Sequence, residues 1–227
     1  NVSYAELKVK NICTKLFITT EDKYKFEEKA VYYVENERDM DKIPSTYYEN
    51  KYTSLDRVSV TIKDTLGKTQ KHYGNSSLSY SAMTNNLKDD YKRYDLSLSS
   101  PVYPVLVTIE CRESAKNRTC FLPHFDPVPD YGVPVESGSF EVHVKPDMKI
   151  RYHLNGSVLP LYQTDTVPGE VIHHWKYANI PPFTDEALVP EDVYTFPSVE
   201  ILLERFVYES TKGSYASWYD LGEWTWE

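Results

Sequence analysis

Three cysteines and six histidines are the residues whose chemistry would make this chain an enzyme. A papain-like or transglutaminase-like mechanism needs a cysteine thiolate, a histidine base and an Asp or Asn that orients the base. The cysteine should begin a helix, because a helix N-terminus lowers the pKa of a thiol. Cys111 falls within a predicted strand, Cys120 begins another, and Cys13 lies between Ile12 and Thr14. None precedes a predicted helix, so we identify no catalytic residues.

The pairing of Cys111 and Cys120 stays open. The eight residues between them, Arg-Glu-Ser-Ala-Lys-Asn-Arg-Thr, are typical of a hairpin turn. A hairpin whose register makes the two cysteines a close pair would allow a disulfide. The alternative is that the cysteines are buried thiols, which behave as small hydrophobic side chains.

The histidines do not form a recognisable metal site. His173 and His174 are adjacent on a predicted strand, so their side chains point to opposite faces and cannot chelate one ion. His143 and His153 lie on strands that can be neighbours, but two ligands do not make a zinc site. The chain has no glycine-rich phosphate loop either. The sequence therefore predicts no metal ion and no cofactor.

Aromatic residues form three clusters with different expected roles. Exposed rings stack on sugars or dock against another protein, whereas buried rings belong to the core. The clusters are Tyr47-Tyr48-Tyr52, Tyr91 with Tyr94, and the C-terminal group of Tyr215, Trp218, Tyr219, Trp224 and Trp226. We expect the first two on a sheet or in the core. The tryptophans of the third lie on a segment too short to build its own core, so they need a partner surface or must fold back onto the domain.

Composition restricts the partners. The chain has 227 residues, a net charge of -9 and 41% hydrophobic residues, an ordinary balance for a chain with a sizeable core. A strongly acidic chain lacks the basic face that nucleic acid requires. No apolar run approaches the ~20 residues of a membrane-spanning helix.

The elements that must position these side chains are almost all strands. Residues 55–63 alternate with Val58, Val60 and Ile62 on one face, and a Leu-Gly turn returns the chain through residues 69–73 as a hairpin. Further strands are predicted at residues 102–111, 119–128, 135–145, 150–154 and 199–208. Short strands with turn signals and hardly a helix predict an all-β fold, an antiparallel β-sandwich of immunoglobulin-like size or larger.

A proline-rich stretch, residues 175–196, follows these strands. Pro181-Pro182 is incompatible with helix and with sheet pairing, since proline lacks an N–H and fixes φ. We expect an extended C-terminal arm that Trp175 anchors and near which Phe183 packs, with an ordinary surface loop as the alternative. The arm divides the chain into a sandwich body, residues 1–178, and an arm, last strand and aromatic linker, residues 179–227. Glu186, shortly before Pro190, has a fixed position in this hypothesis, where it accepts backbone N–H groups or pairs with an arginine such as Arg205.

These features resemble one bacterial family. A tryptophan at the end of a strand, Asn-Ile-Pro-Pro, Glu186 before Pro190, and Phe-Pro before a hydrophobic strand are similar to the uncharacterised β-domain found directly N-terminal to transglutaminase-like, papain-fold domains in secreted bacterial proteins. The turn Asp64-Thr65-Leu66-Gly67-Lys68 and the hydrophobic strand at residues 103–110 are also similar to that family. The resemblance covers roughly residues 25–227. It implies that catalytic residues lie C-terminal to this domain and that Trp218 and Trp224 lead towards them.

Two functions follow as expectations. The first is a non-catalytic accessory domain of a secreted or periplasmic protein, with the C-terminal transglutaminase-like domain as its partner, that positions the catalytic domain or a protein substrate. The second is a carbohydrate-binding sandwich whose exposed tyrosines stack on sugar rings. Binding of a glycan would separate them.

Overall fold

A computed structural model of the chain describes residues 7–82, 91–184 and 196–226. The strands are β1 (Leu7–Thr20), β2 (Lys23–Val34), β3 (Thr46–Glu49), β4 (Thr53–Asp64), β5 (Thr69–Gly74), β6 (Ser79–Ala82), β7 (Lys92–Asp95), β8 (Val105–Lys116), β9 (Val135–Val144), β10 (Ile150–Asn155), β11 (Leu161–Val167), β12 (Glu170–Ile180), β13 (Ser198–Leu203), β14 (Arg205–Tyr208) and β15 (Thr211–Ser214). Two short 3-10 helices, Glu37–Lys42 and Asn75–Ser77, and one α-helix, α1 (Trp218–Trp226), complete these elements. The predicted all-β fold is confirmed.

Eight strands form one large sheet in the order β11-β12-β9-β1-β2-β8-β4-β5. Neighbours are antiparallel except β1 and β9, which run parallel, so the sheet is mixed. A parallel pair requires a long connection that crosses to another layer before it returns. Residues 117–134, which link β8 to β9, supply that connection. Within them Phe125 pairs with Val199 of β13 in the second layer.

The hydrophobic core lies against one face of the large sheet. On β4, Val58, Val60 and Ile62 are at most 1% exposed, which confirms the predicted register of this strand. The hairpin that joins β4 to β5 is also as predicted. Asp64 fixes its turn by accepting the backbone N–H groups of Leu66 and Lys68 at 3.0 and 2.9 Å. β8 is a central strand, paired with β2 on one side and β4 on the other.

The remaining strands form smaller sheets, of which β10-β13 and β3-β7-β6 contribute residues to the core on this face. The smaller sheets are β10-β13, β14-β15 and β3-β7-β6. Val199, Ile201 and Leu203 of β13 belong to the same hydrophobic core as the large sheet, as does Tyr47 of β3. The result is a sandwich-like arrangement with one long sheet and a segmented cover.

Two predicted strands differ in the structure. Residues 119–128 form no strand, and Phe125 makes an isolated pairing, because the segment crosses between layers and contains Pro123 and Pro127. The strand predicted at 199–208 is divided at Glu204, whose N–H donates to Lys149. Its first half pairs with β10 and its second half with β15.

The chain bends at Gly156 after β10 without closing a hairpin. Gly156 has a φ of +83°, a conformation that favours glycine. A Cβ at this position would also lie 2.7 Å from the backbone nitrogen of Pro197. The glycine therefore lets the chain after β10 pass against the start of β13, and β10 pairs with β13 rather than with β11.

Candidate interdomain surface

Trp175 lies at the centre of an aromatic cluster on the core face of β12. It is fully buried, and its ring centroid is 5.7 Å from that of Phe140 on β9. The rings of Tyr152 and Tyr162 are each 5.2 Å away. These contacts join β12 to both layers and fix the direction in which the chain leaves the sheet.

The two prolines that follow are exposed, and they lead to a second aromatic cluster. The backbone carbonyl of Phe183 accepts the N–H of Gly132 at 2.8 Å, and its ring centroid is 5.4 Å from that of Phe196. Phe196 in turn contacts Tyr131 at 4.8 Å. The neighbours of Phe183 in this cluster are thus Gly132 and Phe196. The chain leaves Pro181-Pro182 and returns at Phe196 to the same place on the domain.

The structure does not describe residues 185–195, the centre of the predicted arm. Glu186 and Pro190 lie outside the described residues. Arg205, the arginine suggested as a partner for Glu186, pairs with Glu21 at 3.1 Å in the turn between β1 and β2.

The C-terminal aromatic segment is a helix, α1. Ser217 caps it, because its hydroxyl accepts the N–H of Asp220 at 3.1 Å and donates to the Asp220 carboxylate at 2.7 Å. A helix here differs from the linker expected for this segment. Its sequence signal is a serine three residues before an aspartate, within a segment whose aromatic residues are also typical of a linker.

The tryptophans of α1 have different surroundings. Trp224 packs onto the β14-β15 hairpin, with its ring 5.0 Å from Phe206 and 6.3 Å from Tyr208. Trp218 and Tyr219 are instead 89% and 73% exposed. Trp226 is the last residue of α1, and its side chain lies outside the description. One aromatic residue therefore attaches the helix to the domain, and two present their rings to solvent.

An apolar groove lies beside Trp218. Its walls include Leu202 of β13, Tyr215, Trp218 and Leu221. Leu202 is 43% exposed, and the Arg151 guanidinium donates to the Ala216 carbonyl at 3.0 Å and so ties β10 to the start of α1. We call the groove together with Trp218 and Tyr219 the α1 surface. Such a surface is suited to contact with another protein face.

The cysteines are free thiols, so the disulfide considered for Cys111 and Cys120 is not formed. The physical reason is that β8 has no returning strand beside it at Cys120, which lies in a turn. Cys111 points into the core with its sulfur 3.9 Å from a carboxylate oxygen of Glu113. Burial, then the carboxylates of Glu113 and Glu28, raise the pKa of Cys111. These surroundings oppose the thiolate that a nucleophile requires.

Two acidic residues lie on the same core face as Cys111. Glu28 accepts a hydrogen bond from the hydroxyl of Thr14 at 3.2 Å, and burial raises its pKa. Burial, and then the charge of Glu28, raise the pKa of Glu113 to about 7. The sequence analysis did not single out these acids, since an alternating strand pattern does not show which polar residue faces inward.

The adjacent histidines point to opposite faces of β12, as their spacing predicts. His173 bonds to the Tyr162 hydroxyl at 2.8 Å on the core face, whereas His174 lies 3.2 Å from Asp165 and 3.7 Å from Glu141 on the other. No group of three His, Cys, Asp or Glu residues suited to a metal ion occurs within residues 7–82, 91–184 and 196–226. Among the helices described, none has the length and hydrophobicity needed to cross a membrane.

Comparison with known proteins gives a family match and a fold match. The family model described as "Domain of Unknown Function with solved-structure structure (DUF3857)" matches residues 22–184, which is most of the chain. No curated protein matches the sequence.

Solved structures resemble this chain in fold but share little of its amino-acid sequence. The crystal structure of a protein named as a putative protease from Parabacteroides distasonis has a TM-score of 0.70 and 12% identity, over 88% of this chain and 40% of that chain. An M1 zinc metallopeptidase from Deinococcus radiodurans gives a TM-score of 0.42 and 8% identity, over 87% of this chain and 42% of that chain. At such identities the first match shows the fold, and the second adds nothing to it.

Proposed function

The chain belongs to the DUF3857 family, and from this premise we propose that it is a non-catalytic accessory domain of a longer transglutaminase-like protein, secreted or periplasmic. In this role it positions the papain-fold catalytic domain, or the protein substrate of that domain. The α1 surface is the docking face.

The exposed rings of α1 carry this proposal. Leaving a large apolar side chain in water forgoes about 1.5–3 kcal/mol relative to burying it. Trp218 and Tyr219 are adjacent and more than two-thirds exposed, and Trp218 borders a groove that contains the half-exposed Leu202. Trp224 holds the helix in place, so the exposed rings have a defined position on the domain. A preformed aromatic surface of this kind is suited to a lasting contact with another domain.

The length of the solved relative supports the presence of another domain. This chain spans 40% of the Parabacteroides protein. A domain with this fold therefore occurs there within a protein more than twice as long. The transglutaminase-like nature of the partner rests on the resemblance of the Asn-Ile-Pro-Pro segment and its surroundings to that family.

The chemistry of the buried thiol supports a non-catalytic role. In a cysteine peptidase the thiol pKa is lowered by a histidine or a helix N-terminus. Cys111 has the reverse surroundings, because burial and two acidic neighbours raise its pKa. Cys120 is buried as well, and burial raises its pKa too.

A carbohydrate-binding function is the second candidate. Tyr47, Tyr94 and Tyr80 are directly opposite one another across β3, β7 and β6 and so form one row of rings. Tyr80, at the end of this row, is 59% exposed and lies 5.7 Å from Tyr94. Stacking on a sugar needs such an exposed ring. Calorimetric titration with oligosaccharides tests it: tight binding that Tyr80→Ala abolishes would favour this function over a purely positioning role.

An activity assay tests the main proposal. The chain alone and the longer protein are each incubated with casein and an amine donor, with and without calcium. We expect turnover only with the longer protein, whose reading frame should contain a Cys, His and Asp in papain-like order after this domain. Turnover by the chain alone that is lost on alkylation of its cysteines would contradict the proposal.

A further inference from the structure

The solvent-facing side of the large sheet contains a groove that is rich in cations. It crosses the middle of the sheet over β1, β2, β8 and β4. Its charged residues are Lys15, Lys29, Arg57, Arg112, Glu27, Glu28 and Glu110, and Cys13 and Cys111 lie among them. The four cations outnumber the three glutamates, and Glu28 faces the core, where burial raises its pKa, so this basic groove has an excess of positive charge. That is unexpected in a chain with a net charge of -9.

The strand register places two arginines side by side in the basic groove. Glu27 on β2 is directly opposite Arg112 on β8, and Arg112 is directly opposite Arg57 on β4. Directly opposite residues have Cβ atoms about 4.5–5.5 Å apart, and like charges at such positions destabilise a sheet. The shift in register between Leu55 and Arg57 is what brings Arg57 to this position. Bulges of this kind often re-aim a side chain beside a functional site.

Arg57 differs from the other cations in its ionic partners. Lys15 pairs with Glu141 at 2.7 Å, Lys29 with Glu110 at 2.8 Å, and Arg112 with Glu27 at 3.4 Å. Within the described part of the chain Arg57 has no carboxylate at ion-pair distance, and its side chain is exposed. The domain thus carries two neighbouring guanidinium groups, of which one, Arg112, is paired with Glu27. Guanidinium groups bind carboxylates through two parallel hydrogen bonds, so this pair is suited to one more oxyanion.

We propose that the basic groove binds a polypeptide that carries acidic side chains, with one carboxylate held between Arg57 and Arg112. A polypeptide fits better than a polyanion, because Glu27 and Glu110 lie within the groove and repel a ligand of continuous negative charge. The Lys29 ammonium, which bonds to Glu110, lowers the pKa of that carboxyl and so keeps it charged. A peptide whose carboxylates are separated by neutral residues places negative charge at the arginines and avoids both glutamates.

This site is independent of the docking face proposed above. The basic groove lies on the open side of the large sheet and shares no residue with the α1 surface. It therefore stands if the accessory function proves wrong, and it fails without affecting that function.

Cys13 provides a reporter for the test. Its thiol is partly exposed within the groove, whereas Cys111 and Cys120 are 6% and 3% exposed. Modification of the native chain by a coloured thiol reagent should therefore begin at Cys13, which a Cys13→Ser variant verifies. The probe is a short blocked peptide in which glutamates alternate with glycines, added at low ionic strength. The matched peptide has glutamine in place of each glutamate, and heparin and inorganic phosphate are the other additions.

The expected result is that the glutamate peptide slows modification of Cys13 several-fold, while the glutamine peptide, heparin and phosphate do not. In Arg57→Gln the peptide concentration needed for half-maximal protection should rise about tenfold or more, as for loss of a hydrogen-bonded charge. Lys63→Gln removes a cation from the same strand outside the groove and should leave protection unchanged. Absence of protection, equal protection in Arg57→Gln, or stronger protection by heparin or phosphate than by the peptide would overturn the proposal.

Discussion

The rings of Phe183 and Phe196 lie 5.4 Å apart and join the two points between which residues 185–195 run. This contact brings the chain back to the domain it left, so that β13 can enter the same core as the large sheet. We expect Phe196→Ala to weaken this closure, at a cost of roughly 1–2 kcal/mol for a half-buried ring. A glutamate-specific protease should then cut several-fold faster after Glu186 or Glu191. Leu66→Ala, which removes a side chain that is 93% exposed, is the control. Equal cleavage rates in Phe196→Ala and the native chain would contradict the prediction.

Val60 tests the register of the large sheet. Its side chain is fully buried, so Val60→Asp places an unpaired carboxylate in the core and should unfold the domain. Thr61→Asp puts the same group one residue along, on the solvent-facing side, and should be tolerated. Circular dichroism during heating measures both. If the two variants unfolded at the same temperature, the assigned faces of β4 would be wrong.

Glu113 makes the stability of the domain depend on pH. Its pKa is about 7 in the folded chain, because burial and then Glu28 raise it from 4.5. The folded state therefore holds the proton more tightly, and the contribution of Glu113 to stability is complete below about pH 4.5 and is lost as pH rises through about 7. Glu113→Gln stays neutral and should lose less stability between about pH 5 and about pH 8, by on the order of 2 kcal/mol.

Thermal unfolding at several pH values measures this difference. The control is Glu110→Gln on the same strand. Lys29 lowers the pKa of Glu110, so its contribution is present above the unfolded pKa and declines only in acid. Parallel stability curves for Glu113→Gln and the native chain across this pH range would show that Glu113 does not hold its proton in the folded state.

Two glycines test how α1 is attached. A Cβ on Gly213 of β15 would lie 2.4 Å from the Phe206 ring and 2.9 Å from Trp224, whereas a Cβ on Gly222 would meet nothing within 4 Å. We expect Gly213→Ala to displace the helix and raise hydrogen exchange in residues 218–226. Gly222→Ala should reduce exchange there, because alanine favours a helix over glycine by about 0.5–1 kcal/mol. Equal exchange in the two variants would mean that α1 does not depend on the contact between Phe206 and Trp224.

Local patterns predicted the parts of the fold that local physics determines. The alternation of Val58, Val60 and Ile62 and the turn at Gly67 specify the β4-β5 hairpin without reference to the rest of the chain. The interruption at Glu204 separates a first half that pairs with β10, which is distant in sequence, from a second half that pairs with β15. No pattern within residues 199–208 reports it.

The candidate surfaces were predictable to different degrees. Exposed aromatic residues near the C-terminus were identified from their number, but their placement on a capped helix was missed although Ser217 and Asp220 gave a signal. The pairing of Arg57 with Arg112 depends on a shift of one residue between β4 and β8. Sequence alternation does not fix a register to one residue across a bulge, so this site could only be found in the structure.

The central claim is that the α1 surface is covered by another domain of a longer protein. Hydroxyl-radical footprinting read by mass spectrometry tests it through Trp218, which is 89% exposed in this chain. Oxidation of Trp218 is measured in the chain alone and in the longer protein, with Tyr80 on β6, which is 59% exposed, as the internal reference. The account predicts that Trp218 oxidises several-fold more slowly in the longer protein while Tyr80 is unchanged. Oxidation of Trp218 at the same rate in both would contradict it.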